Sequence, residues 1–327
     1  MKKFIYLFFL SVLLINLSCK NNEGTDLNIK HLNQVAKNIN ADLQNTSRDL
    51  ENLAFFLKHK VPFDNAVSWN NTNYHKKNHL FYFASYKENG SAIYLPGNIK
   101  LTEEIKKRII NSEILDSLFI KFINDNVFVH QIYFLDNNSF LRIYPYIDIA
   151  RYFTDPVNLK EFLPYQKVKQ KPLLEDHSYW VETPYADPYG RGWIFSCIEP
   201  VYYRDEFIGM IAADIPLKIL LQEYFKNHSE NFILTDHKGN VICNTRKGSK
   251  LFNIPGFKEF HYYKPVTKNI LIYNSPPLAE HQNKSVRKAI KKLLGGDIKS
   301  HFYLNNKKYT IYKAEIKETN WLLLKII

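Results

Sequence analysis

Cysteine is scarce: Cys19, Cys197 and Cys243 are the only three in 327 residues. That excludes a disulfide framework and a short-spaced Cys/His zinc site. Cys197 and Cys243 each sit in an apolar, strand-like run and read as buried free thiols. Long apolar runs are also scarce, since none after residue 19 approaches the ~18 to 20 residues that a spanning helix needs. Glycine-rich phosphate loops, His-x-x-x-His metal pairs on an apolar face and Gly-x-Ser-x-Gly elbows are missing. His75 and His79 are four apart, but in a polar Asn/Lys stretch where solvated side chains are expected. No catalytic residue, metal or cofactor is therefore assigned. A carboxylate pair of the glycosidase kind, which needs no proximity in sequence, alone leaves an enzymatic reading open. Blocks of like charge are missing too. The net charge of +12 comes from 44 basic against 32 acidic residues, and the basic ones are dispersed. That argues against nucleic acid and for a solvated lysine-rich surface, with contact to an anionic membrane as the alternative.

What is present is core-forming. With 45% hydrophobic and 15% aromatic residues, the chain can bury one or two folding units. Its start reads as a signal peptide over residues 1–18. Lys2 and Lys3 precede an apolar run over 4–17, broken only by Ser11 and Asn16, and Leu17-Ser18-Cys19 follows. The site resembles that of bacterial lipoproteins, with Asn16 in place of the usual Leu. The resemblance implies a lipid on Cys19 and export of everything after it, hence a place in the bacterial cell envelope, facing the periplasm or the cell surface. An uncleaved signal anchor is the alternative.

Residues 19–26 form a polar tether. Leu32, Ala36, Ile39, Leu43, Thr46, Leu50, Leu53 and Leu57 then alternate in steps of four and three, which predicts a long helix over 27–60 that Val61-Pro62 stops. The stripe either packs on the chain's own sheets or also pairs two copies in a homodimer. A second helix is expected over 101–124, with Thr102 as its cap. Hairpins follow around 136–139 and 204–206, a helix after Pro216, a turn at 236–240, an amphipathic basic helix over 285–294, a hairpin around Asn305-Asn306 and a last strand from Trp321. The pattern is α+β: a long N-terminal helix followed by two modules with antiparallel sheets, over 61–227 and 228–327.

Residues 180–217, WVETPYADPYGRGWIFSCIEPVYYRDEFIGMIAADIPL, resemble the Cache family of PAS-like extracytoplasmic sensors. The likeness lies in a Pro-Tyr-x-Asp segment leading into a strand, a Pro-Val-Tyr hairpin, and a Gly-containing strand ending in Asp-Ile. QIYFLDNNSFLRIYPYIDIARYF upstream resembles the preceding hairpin of that family. FILTDHKGNVICNT and YTIYKAEIKETNWLLLKII resemble its second module. The resemblance implies a double Cache sensor that binds an amine, amino acid or organic acid in a membrane-distal module, 61–227, while the membrane-proximal module, 228–327, relays the state to a protein partner.

The matched positions that imply a ligand site are Tyr165, Tyr185, Asp187 and Asp214, with Trp180, Trp193 and Tyr189 as candidate aromatic walls or simple core. Two carboxylates beside aromatic rings suit an ammonium group. Asp187 capping a turn and Asp214 capping the helix after Pro216 are the structural alternatives. Amino-acid-binding members of the family carry an Arg and a Trp-Tyr pair where this chain reads Phe162, Pro164 and Tyr165, so only the Tyr is kept. Arg151, Lys160 and Lys167 are the substitutes for the Arg. A structural or interaction lipoprotein that has lost ligand binding is the competing function.

Overall fold

The computed structural model describes residues 2–69, 74–77, 81–84, 89–138, 140–149, 156–170, 177–189, 192–225, 231–254 and 277–327, with the backbone alone over 2–26, at 75 and 77, and over 81–84. Arg151, His79 and the side chains of Cys19 and His75 lie outside the described residues. The chain forms two compact units. The larger takes in residues 41–227, and the smaller 1–40, 228–254 and 275–327.

Helix α1 runs from Lys2–Lys60, through the expected signal segment and tether. All eight residues of the apolar stripe are at most 7% exposed, with Leu32, Ile39, Leu50 and Leu57 at 0%. The stripe is thus consumed by packing within the chain. The helix ends where Pro62 disfavours helical geometry at Val61.

The larger unit continues with β1 (Tyr74–Lys77), β2 (Phe81–Ala84) and β3 (Ala92–Pro96), then α2 (Glu103–Asn111) and α3 (Leu115–Asp125). Next come β4 (Gln131–Asp136), β5 (Leu141–Tyr144), α4 (Leu163–Gln170), β6 (Tyr179–Ala186), β7 (Trp193–Tyr203), β8 (Glu206–Pro216) and α5 (Leu217–Phe225). Its described strands form one antiparallel sheet in the order β1-β2-β3-β5-β4-β8-β7-β6.

The single helix expected over 101–124 is divided by a 3-10 turn at Ser112–Ile114. Buried Arg142 explains the break. Its Nη2 donates to the Ile109 carbonyl at 2.9 Å and its Nε to Ser112 Oγ at 2.9 Å, while Ser112 Oγ donates to the same carbonyl at 2.7 Å. A carbonyl with two side-chain donors is drawn off the helical ladder. Strand β6 was not legible, because Pro184 interrupts its alternation and the β6–β7 register shifts between Val181 and Tyr185. The hairpin expected around Asn305-Asn306 forms, and the one expected over 204–206 forms with a turn one residue shorter, Glu206 opening β8: Arg204 and Asp205 have φ of 50° and 63°, and Asn305 and Asn306 have 51° and 60°. Positive φ at both positions matches the right-handed twist of the flanking strands.

The smaller unit holds β9 (Asn231–Thr235), β10 (Val241–Asn244), α6 (Arg246–Phe252), α7 (Lys284–Leu294), β11 (Lys299–Leu304), β12 (Lys307–Ile316) and β13 (Trp321–Ile326). Its strands form an antiparallel sheet in the order β10-β9-β13-β12-β11. Val286, Ala289, Ile290 and Leu293 of α7 pack into its core, and Lys284, Lys288, Lys291 and Lys292 are exposed. Asp236 closes the β9–β10 turn by accepting from the backbone N–H groups of Lys238 and Asn240 at 2.9 and 2.8 Å.

Candidate functional site

Strand alternation divides the sheet of the larger unit into two faces. On β7, Ile194, Ser196 and Ile198 point one way and Phe195, Cys197 and Glu199 the other. Ile194 and Ile198 belong to the core cluster beneath α4, together with Tyr133, Tyr165, Tyr185 and Tyr189. Cys197 faces α1, its Sγ lying 3.6 Å from Ser47 Oγ.

On the α4 side, register aligns three polar residues from three strands. Asp214 of β8 lies opposite Ser196 of β7 and opposite Gln131 of β4. Asp214 is 2% exposed, and neutral donors hold both of its oxygens: Gln131 Nε2 donates to Oδ2 and Ser196 Oγ to Oδ1 at 2.5 Å. Tyr185 OH and Ser196 Oγ are 2.5 Å apart, and the Tyr133 and Tyr185 hydroxyls are hydrogen-bonded to each other. Burial first, then the Asp214 charge, pushes the Tyr133 and Tyr185 phenols well above their usual range. Both therefore stay neutral donors near a carboxylate.

A cavity opens beside this row. It encloses about 370 Å³ including its mouth, and is lined by Gln131, Tyr133, Tyr185, Tyr189 and Asp214 together with Leu141, Ile143, Phe162, Leu163, Pro164 and Pro188. The region open to the centre of a water-sized sphere is only about 20 Å³, so without expansion it admits a water or a ligand of few atoms. Asp214 is the single charged residue among the described lining residues. A buried carboxylate is costly unless something compensates it. Here neutral dipoles do so, and an ammonium group entering the cavity would add a full counter-charge.

The structure brings Tyr185, Tyr189 and Asp214 together in the cavity wall and places the other expected residues, Trp193 included, elsewhere. Tyr165 packs behind it, donating from its hydroxyl to Asn137 Oδ1 at 2.9 Å. Asp187 is buried in the β6–β7 turn, where its Oδ1 accepts from Tyr189 N at 3.0 Å and its own N–H donates to the Gly192 carbonyl. Trp180 lies opposite Cys197 on the other face, with Nε1 donating to Ser47 Oγ at 3.1 Å. Phe162 and Pro164, at the positions of the family's Arg and Trp, do line the cavity, whereas Lys160 and Lys167 do not. Gln131, Tyr133 and Ser196 were missed by sequence reasoning. Ser196 carried a signal, as the lone hydroxyl in the apolar run Trp193-Ile194-Phe195-Ser196-Cys197-Ile198.

No family model matches the sequence, and no curated protein matches it. Solved structures do. The ligand-binding domain of the Pseudomonas fluorescens chemoreceptor CtaA, in complex with L-isoleucine, is similar at a TM-score of 0.55 and 14% identity, over 94% of this chain and 95% of that one. The sensory domain of the Campylobacter jejuni chemoreceptor Tlp3 is similar at 0.52 and 14%, over 93% and 94%. The same domain with isoleucine bound gives 0.52 and 14%, over 93% of each chain. The fold is thus that of bacterial chemoreceptor sensory domains. It is the tandem Cache fold that residues 180–217 resemble.

Proposed function

We propose that this chain is an extracytoplasmic small-molecule sensor that holds an amine-bearing metabolite in the larger unit, against Asp214. One observation carries the reading: a buried carboxylate, cradled by Gln131 and Ser196, is the only charged group among the described residues lining a largely apolar and aromatic cavity. Phenol rings and a carboxylate together recognise an ammonium group through charge and through ring faces. The chemoreceptor domains of the same fold whose structures contain L-isoleucine or L-valine support an amine ligand. With Phe162 and Pro164 in place of an Arg and a Trp, no described lining residue is a cation that could clamp a carboxylate, which favours small amines over α-amino acids.

In this reading residues 61–227 are the membrane-distal, ligand-holding module and 228–327 the membrane-proximal one. Cys19 carries the lipid that tethers the chain to the cell envelope, and the state of the ligand is read by a separate protein. Among the described residues no helix is long and apolar enough to cross a membrane.

A thermal-shift screen of amines, amino acids and organic acids tests the reading. A ligand present at about 100 times its dissociation constant raises stability by about 2.7 kcal/mol. A hit lost in Asp214→Asn supports it, while stabilisation by organic acids alone overturns it. A second reading, an interaction module of the same fold without a ligand, is favoured by the tightness of the cavity. Lack of stabilisation by every compound would establish it.

A further inference from the structure

A second cavity lies on the opposite side of the larger unit, enclosing about 730 Å³ including its mouth where the first encloses about 370 Å³, and lined by Glu51, Phe55, Lys58 and His59 of α1 and by Glu199 and Tyr202 of β7 among others. Its origin is a step in the sheet. Strand β6 pairs with β7 only as far as Tyr179 opposite Ile198, while β7 continues through Tyr203 beside β8. Beyond that step the last two turns of α1 and the end of β7 line the cavity together. Glu199, two residues after Cys197, points to the same helix-facing side.

We propose that this cavity is a second small-molecule site, for an organic cation of the alkylammonium class. Six observations support it. The Glu199 side chain is 4% exposed and lines the cavity. The Glu51 carboxylate is oriented from outside, because its Oε1 accepts from both the N–H and the Oγ of Ser178 at 3.1 and 3.0 Å. Aromatic faces are available: Phe55 is 64% exposed and lies against His59 with ring centroids 4.3 Å apart and planes tilted at 50°, and Tyr202 lines the same cavity. Two carboxylates outnumber the one lysine, Lys58, so the cavity favours a cation. Glu51, Phe55, Lys58 and His59 recur at the three- and four-residue spacing of a single helix face, distinct from the buried stripe. The neighbouring Tyr179 phenol reflects the same field: burial and then the Glu199 charge hold its proton on. A ring face and a carboxylate around open space are the elements that recognise alkylammonium groups.

The site is independent of the Asp214 cavity, and the test separates them. Full-length protein carrying Asp214→Asn is titrated with n-butylammonium and with tetramethylammonium, followed by saturation-transfer NMR and by protection of Lys58 from reductive methylation. Saturable binding of at least one cation at about millimolar concentration, with Lys58 protected, is expected for so small a ligand. Adding Glu199→Gln weakens it by about tenfold or more, the scale of one charge-assisted contact. Phe55→Ala, at an exposed position that does not endanger folding, weakens it by about threefold or more. No saturable binding up to about 50 mM, or binding unchanged by both Glu199→Gln and Phe55→Ala, overturns the proposal.

Discussion

Ser196 Oγ donates a 2.5 Å hydrogen bond to Asp214 Oδ1 between residues directly opposite each other on β7 and β8. Ser196 thereby links the carboxylate to Tyr185, and through it to Tyr133. The expected consequence is that Asp214→Asn weakens an amine ligand by about 1.5 to 3 kcal/mol, the scale of a charge-assisted hydrogen bond. Ser196→Ala, which leaves the charge but frees one oxygen, weakens it less. Calorimetric titration of the two variants checks the order, and equal affinity for wild type and Asp214→Asn would remove Asp214 from the site.

Trp180, on the α1 side of the sheet, provides the contrast. Trp180→Phe keeps a ring against Phe195, now 5.3 Å away between centroids, and deletes the donor to Ser47. Stability should fall by about 1 to 2 kcal/mol while ligand affinity stays within about twofold. Urea unfolding and titration of the same preparation measure both. A large loss of affinity with stability unchanged would place Trp180 in the site after all.

Asp136 gives the larger unit a pH dependence. It is fully buried, with Arg108 Nη1 donating to Oδ2 at 3.0 Å and Asn138 N to Oδ1 at 2.6 Å. Burial outweighs these partners and pushes the carboxyl up to about 6, above the ~3.9 of an unfolded Asp. Between those values the folded chain holds a proton that the unfolded chain has released. The contribution of this group to stability is therefore greatest below about pH 4 and is lost as pH rises to about 6, on the order of 3 kcal/mol. Asp136→Asn should flatten that segment of the stability profile in urea titrations. A slope as steep as that of wild type would assign it to other groups.

Gly209 on β8 has φ +154°, and a Cβ built there would lie 2.3 Å from the Leu135 carbonyl oxygen of the paired strand β4. Only glycine allows that approach. Gly209→Ala should cost about 2 to 4 kcal/mol of stability, seen as a lowered urea midpoint. A midpoint equal to that of wild type would mean that β4 and β8 separate without penalty.

The lipid on Cys19 is tested in a bacterial host. A clickable fatty-acid analogue should label the wild-type chain, and Cys19→Ser should lose the label and accumulate as the unprocessed form. Equal labelling of the two would exclude this attachment.

The sequence by itself determined the local structure and, through residues 180–217, the fold. Side-chain periodicity is a property of the chain alone: the steps of four and three from Leu32 to Leu57 place one stripe on one helix face, and that stripe is buried. Turn chemistry is local in the same way, so Arg204-Asp205 and Asn305-Asn306 mark their hairpins without reference to anything distant. Only the tertiary structure decided which residues share a space. Gln131 and Asp214 are 83 residues apart in sequence and meet because the register of β4 on β8 sets them side by side. Pairing also decided which face is which: Trp180 and Tyr185, five residues apart on β6, alternate onto opposite faces, and their partners Cys197 and Ile194 set one against α1 and the other at the Asp214 cavity. Register and bulges follow from how whole strands pair and bury their faces, and a one-residue change reverses every side chain, so they cannot be read from composition or spacing within one strand.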